Sequence, residues 1–286
     1  MKPLSALVLA ALALGLSGCV SFWNREARAA CPADPRERLG APGCIQATAA
    51  EGYEYAVLAA LAYTPKTPED FRPPEGIVES EACTSPACDG ASGYQYRIFH
   101  RIREGVVIEK IIAYRGTDEG ADWKPNLLGT KAQNRAALAT FLRVRGDGAV
   151  PVSVTGDSLG GALAVQVSMC HPVHMRVALN ASPRFYRRLC PGGRAHPRPA
   201  DANQTRLLFS EHGEILGPTR WLGRNPDQLA TRVNCTVGES PVAQHDVRRL
   251  AACMVHRAIQ GGSQAARRYR DENRQAFEVF LPDPRD

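Results

Sequence analysis

Apolar and polar positions alternate or recur along this chain with periods that change from segment to segment. From Thr48, Ala56, Leu58, Ala59, Leu61 and Ala62 give a helical apolar face that Thr64-Pro65 stops. Residues 64–93, with Pro65, Pro68, Pro73, Pro74 and Pro86, read as loop. Tyr94–Phe99 and Val106–Tyr114 read as adjacent strands joined by a turn near Arg103-Glu104-Gly105. Ala136, Ala137, Leu138, Phe141 and Leu142 predict a helix between Lys131 and Val144. The β-branched run Val150, Val152, Val154, Thr155 predicts a buried strand, and Ala162–Met169 a helix. Strands follow at Met175–Asn180, Arg206–Ser210 and Arg232–Val237. Val247, Leu250, Ala251, Met254 and Ala258 then form a last helical stripe. From Gly261 the chain is polar and Arg-rich and reads as a frayed helix and tail. Strand and helix alternate through the middle of the chain, which argues a mainly parallel sheet with helices on both faces, an α/β fold.

With 286 residues and 44% hydrophobic content, the chain can bury one ordinary α/β core. Its net charge of +6 comes from scattered arginines. There is no zinc-spaced Cys/His set and no basic stretch interleaved with aromatics, so nucleic acid is not an expected partner.

The first residues set the expected compartment. Met1-Lys2 is followed by an apolar run, Leu4 to Leu14, that is too short to span a bilayer as a mature helix. It ends in Leu16-Ser17-Gly18-Cys19, which resembles the bacterial lipobox. That resemblance implies a signal peptide over 1–18, lipidation of Cys19 and a tether over 19–46. The domain then occupies 47–286. A cleaved signal using Ala27-Arg28-Ala29 is the alternative. Two arginines and its distance from the apolar core make that site poor. Residue 20 is Val rather than the aspartate that retains many such lipoproteins at the inner membrane. The expected location is therefore the periplasmic face of the outer membrane, with the membrane a partner through the lipid anchor. Nine cysteines agree with an oxidising compartment. Without Cys19 an even set remains, and neighbour pairing (31–44, 83–88, 170–190, 235–253) is the simplest framework. Cys170, on its helix, is the first candidate for a buried thiol instead.

The chemistry concentrates at Gly156-Asp157-Ser158-Leu159-Gly160-Gly161, between a predicted strand and a predicted helix. Gly-x-Ser-x-Gly in that setting is a nucleophile elbow. The turn lifts the Ser158 hydroxyl clear of the sheet and aims the first helical amides, Leu159 among them, at any negative charge that forms there. The alternative reading is a Gly-rich turn between strand and helix that carries no chemistry.

A second motif makes the pattern specific. A strand ending in Arg115-Gly116-Thr117 is followed by Asp122-Trp123-Lys124-Pro125-Asn126-Leu127, a helix, and Gly-x-Ser-Leu-Gly-Gly-Ala-Leu-Ala. Over residues 48–260 this resembles the class 3 (fungal-type) lipase family of α/β-hydrolases, and Ala181-Ser182-Pro183-Arg184 is similar to the family's Gly-Ser-Pro-Arg turn. The resemblance implies an α/β-hydrolase fold and a serine ester hydrolase. Thr117 would offer an oxyanion donor beside the Leu159 amide. The family usually has His where this chain has Asp157, so a carboxylate stands beside the nucleophile and substrate preference is open.

A serine needs a base, and the base an acid; in this fold they follow in the order Ser, acid, His. Aligned on the family's acid loop, Glu214 in Glu211-His212-Gly213-Glu214 takes the acid position, with Glu211 the runner-up. His245, just ahead of the last helix, takes the base position, with His212 its rival. The expected activity is that of a lipase or esterase, phospholipase A-like if the acyl donor is a phospholipid, and it calls for no metal or cofactor. The alternatives are a non-catalytic envelope lipoprotein that uses the fold as a binding or scaffolding module, and an acyltransferase whose acceptor is not water.

Overall fold

Among the described residues of a computed structural model, seven strands hydrogen-bond into one sheet in the order β1-β2-β3-β4-β5-β6-β7. The model describes residues 44–63, 70–85, 88, 91, 93–116, 131–183, 185–195, 204–217, 230–236 and 238–281. The strands are β1 (Ile77–Cys83), β2 (Tyr96–Arg103), β3 (Val106–Tyr114), β4 (Val152–Asp157), β5 (Met175–Leu179), β6 (Thr205–Glu211) and β7 (Ala230–Val233). The first three form an antiparallel meander, and β3 through β7 run parallel. The described α-helices are α1 (Ile45–Leu61), α2 (Lys131–Arg145), α3 (Leu159–Cys170), α4 (Val247–Gln260), α5 (Gln264–Glu272) and α6 (Arg274–Phe280).

Each parallel connection steps to the adjacent strand. Right-handed crossovers of that kind put their helices on a single face, so the other face needs cover from outside the crossovers. Helices α2 and α3 pack on β3 and β4 on the first face, whereas α1 packs on β3, β4 and β5 and against α4. The two-residue period of β4 serves both layers. Val152 and Val154 join the cluster with Phe141, Leu163 and Val167. Thr155 turns the other way and donates to the Tyr55 carbonyl of α1 at 3.0 Å. Such polar residues are tolerated in a buried strand because they find partners. Ser153 donates to Glu109, which also accepts from Tyr55 at 2.7 Å and from Arg101 at 2.8 Å. A mainly parallel sheet covered on both faces, with the strand–elbow–helix unit at its centre, is an α/β-hydrolase-type fold.

Two segments depart from the sequence reading. The proline-rich stretch read as loop contains β1, an edge strand whose middle residues are exposed and whose polar alternation carries little apolar signal. The tail beyond Gly261 is two helices rather than a frayed end. Helix α5 buries only Ala266 and Tyr269, and α6 buries Ala276, Phe277 and Phe280. The rings of Phe277 and Phe280 each lie 5.5 Å from that of Phe71, and Tyr269 donates to the Arg72 carbonyl at 2.8 Å. Long-range packing onto residues 71 and 72 orders a segment whose own composition does not.

Boundaries also move. Helix α1 begins at Ile45, inside the stretch read as tether, and β7 starts two residues before the expected Arg232 and ends four before the expected Val237. Three neighbour disulfides form, Cys83–Cys88, Cys170–Cys190 and Cys235–Cys253, so Cys170 is not a thiol. Cys44 is also disulfide-bonded, and its expected partner Cys31 lies outside the described residues, as do the expected leader and Cys19. No helix among the described residues is long and apolar enough to cross a membrane.

Candidate active site

The parallel strands bring their carboxyl-terminal ends to one edge of the sheet, and the candidate residues follow those ends. Ser158 stands directly after β4, between Asp157 and the start of α3, with φ 55° and ψ −119°. A side-chain-bearing residue in that region is strained by about 1–3 kcal/mol and needs its surroundings to hold it. Its N–H donates to the Leu179 carbonyl at 2.9 Å, and its carbonyl accepts from Ala162 at 3.1 Å and Ser182 at 3.0 Å. The Ala181-Ser182-Pro183 turn after β5 therefore fixes the serine backbone. Strand and helix cross so closely here that a Cβ on Gly160 would lie 2.1 Å from the Tyr114 carbonyl oxygen. A Cβ on Gly156 would lie 2.5 Å from the Gly160 backbone, so both positions require glycine. Leu159 opens α3 and is buried; its amide is among the first four of the helix, which have no intrahelical acceptor.

Glu214 lies three residues beyond β6, and His245 ends a 3₁₀ turn, Ala243–His245, just before α4. The structure brings them together: Nδ1 of His245 is 2.7 Å from Oε2 of Glu214. The carboxylate side chain is fully buried and also accepts from the Leu216 amide at 2.9 Å. A carboxylate can only accept, so Nδ1 carries the hydrogen and Nε2 is left as the basic nitrogen. The loop is braced from the His245 side, because Ile215 donates to the Pro241 carbonyl at 3.1 Å. Strand β5 separates β4 from β6, which places those two strand ends about 10 Å apart along the edge.

Glu211 is not part of that pair. Its Oε1 accepts from the amides of Cys235 at 2.8 Å and Thr236 at 3.1 Å, so it organises the turn after β7. Burial pushes its carboxyl up to about 7, against the opposing pull of those amides. The His212 ring forms no hydrogen bond to a carboxylate among the described residues.

On the other side of Ser158 stands Gly116. A Cβ there would come within 3.2 Å of the Ser158 Cβ and 2.7 Å of the Asp157 carbonyl oxygen, so the backbone after β3 passes directly against the elbow. Thr117 itself lies outside the described residues, together with Asp122, Trp123 and Asn126. Two residues that no sequence pattern singles out also belong to this edge. Asn180 Oδ1 accepts from the Glu211 N–H at 3.2 Å while the Asn180 backbone N–H donates to the Phe209 carbonyl at 2.8 Å, tying the ends of β5 and β6 together. Tyr63, two residues past α1, places its hydroxyl between Gly116 and Asp157. Neither lies in a motif; only the fold brings them here.

Glu211, Cys235 and Cys253 are close enough together to suggest a metal cluster, but both sulfurs are spent in one disulfide and leave no thiolate to ligate.

No protein-family model matches the chain, and no curated protein matches it. Among solved structures, that of a Pyrobaculum calidifontis esterase (monoclinic form) matches with a TM-score of 0.34 and 13% identity. The match covers 80% of this chain and 92% of that one.

Proposed function

We propose that this protein is a serine hydrolase of carboxylic esters, built on the plan of the class 3 lipases. The observation that carries the proposal is the 2.7 Å pair between His245 and the buried carboxylate of Glu214, on the sheet edge where the strained Ser158 stands. In this reading His245 Nε2 takes the Ser158 hydroxyl proton as Oγ attacks the ester carbonyl. Charge then builds on the carbonyl oxygen, and the amides of Leu159 and Thr117 are assigned to hold it. Collapse of the tetrahedral adduct expels the alcohol, which receives the proton from His245 and leaves the acyl group on Ser158. Water, deprotonated by the same histidine, attacks that acyl-enzyme and releases the acid. Glu214 stays ionised throughout, orienting the ring and stabilising its charged form.

The same proposal includes the anchor. Leu16-Ser17-Gly18-Cys19 supports lipidation at Cys19 and residence at the periplasmic face of the outer membrane. The three disulfides among the described residues support an oxidising compartment. Tethering beside a bilayer favours lipid esters as substrates. A fluorophosphonate probe tests the nucleophile on the full chain in detergent. The wild type should label and Ser158→Ala should not; labelling that survives in Ser158→Ala would place the reactive serine elsewhere.

A further inference from the structure

The Tyr63 hydroxyl joins three chain segments at the elbow. The Gly116 N–H donates to Tyr63 Oη at 3.0 Å, and Oη lies 3.4 Å from Oδ2 of Asp157. A phenol has one proton to give, and since Oη accepts from Gly116, that proton is directed to the carboxylate. The ring is held in turn. Tyr63 is buried, and the Arg115 guanidinium carbon lies 5.5 Å from its centroid, within the range of a cation–π contact. Arg115 is fixed to Gln95 through its backbone amide at 3.0 Å and through its side chain.

This arrangement leaves Gly116 no room. A Cβ at 116 would be 2.4 Å from the Tyr63 oxygen and 3.2 Å from the Ser158 Cβ, so its backbone is lodged between the phenol and the nucleophile. The peptide that follows carries the Thr117 amide. An oxyanion donor works only if it already sits within a few tenths of an ångström of where the charge will form. Asp157, read from the sequence as a charge beside the nucleophile, is instead buried and turned toward Tyr63.

We propose that Tyr63 is a positioning residue, its hydroxyl held by Asp157 and clamping the Gly116 backbone against the Ser158 elbow so that the following amide is set as an oxyanion donor. The clamp's role in hydrolysis rests on the ester-hydrolase reading, and the test separates the two. Tyr63→Phe, Asp157→Ala and Asp157→Asn are compared with wild type in the full chain, by steady-state ester hydrolysis and by hydrogen exchange at the Gly116 amide. Tyr63→Phe should lower kcat by about tenfold or more with KM within twofold, because the lost contact acts on the charged transition state. Gly116 exchange should accelerate at least about tenfold, while the melting temperature moves little. Asp157→Ala should follow Tyr63→Phe, and Asp157→Asn, which keeps an acceptor for the phenol, should recover most of the loss. Unchanged kcat and Gly116 exchange in Tyr63→Phe, with an active wild type, overturns the clamp and leaves the hydrolase reading standing. So does a pattern in which Asp157→Asn is as impaired as Asp157→Ala while Tyr63→Phe is normal, since Asp157 would then act by charge alone. A wild type inert toward esters and fluorophosphonate overturns the hydrolase reading and with it any role of Tyr63 in hydrolysis.

Discussion

Glu214 and His245, 31 residues apart in sequence, meet at 2.7 Å because β6 and β7 run parallel and end on the same edge of the sheet. Glu211 is nearer the end of β6 but is turned away, its carboxylate occupied by the amides of Cys235 and Thr236. The two glutamates, so close in sequence, therefore have separable consequences.

Glu214→Gln should lower kcat by on the order of 10³- to 10⁴-fold, because an amide facing Nδ1 can favour the wrong imidazole tautomer and no longer stabilises its cation. Glu211→Gln keeps an oxygen for the two amides and should leave kcat within about fivefold. Steady-state kinetics of the two variants side by side decides it, and the reverse order would give Glu211 the role of the acid. In the proposed mechanism hydrolysis by both variants should also fall on the acid side, since a protonated imidazole could not accept the Ser158 proton.

Glu211 should show itself in stability instead. Its folded pKa, raised mainly by burial to about 7, lies above the ordinary value of 4.5. Between those two values the folded protein holds a proton that the unfolded chain has released. Stability therefore falls as pH rises through that window, by at most on the order of 3 kcal/mol. Urea unfolding from pH 4 to 8 should reveal this slope, and Glu211→Gln should flatten it. A slope identical in wild type and variant would remove Glu211 as its source.

How much of this was legible in the sequence depended on whether a signal was local. Val152, Val154 and Thr155 announce β4, and Gly156 and Gly160 announce the elbow, because close backbone crossing leaves no other residue type. His245 precedes a helix whose apolar stripe, Val247, Leu250, Ala251, Met254 and Ala258, is strong. By contrast, β1 is an exposed edge with almost no apolar pattern, and α5 with α6 depends on Phe71 and Arg72, far away in the chain. Tyr63 and Asn180 belong to the edge through hydrogen bonds to residues distant in the chain, which no spacing in the sequence encodes.

Gly160→Ala should be severely destabilising, since its Cβ would overlap the Tyr114 carbonyl and neither β3 nor α3 can shift cheaply inside a packed core. The expected loss is about 3 kcal/mol or more. Chemical denaturation of the variant checks this, and a loss below 1 kcal/mol would mean that the strand–helix crossing is looser than described.

The Cys235–Cys253 bridge ties the turn held by Glu211 to α4, closing a loop with a sequence separation of 18. Replacing both cysteines with alanine should cost about 3 kcal/mol of stability. The effect on kcat should be smaller than that of Glu214→Gln, because His245 keeps its carboxylate. Unfolding midpoints and kcat measured on the same preparation test both halves.

Hydrolysis of p-nitrophenyl esters from acetate to palmitate, wild type beside Ser158→Ala, decides whether Ser158 is the nucleophile of an ester hydrolase. The wild type should turn over, and turnover should fall at least about 10³-fold in the variant, with the preferred chain length distinguishing esterase from lipase. Turnover unaffected by Ser158→Ala, or a wild type inert on every ester, would contradict that role.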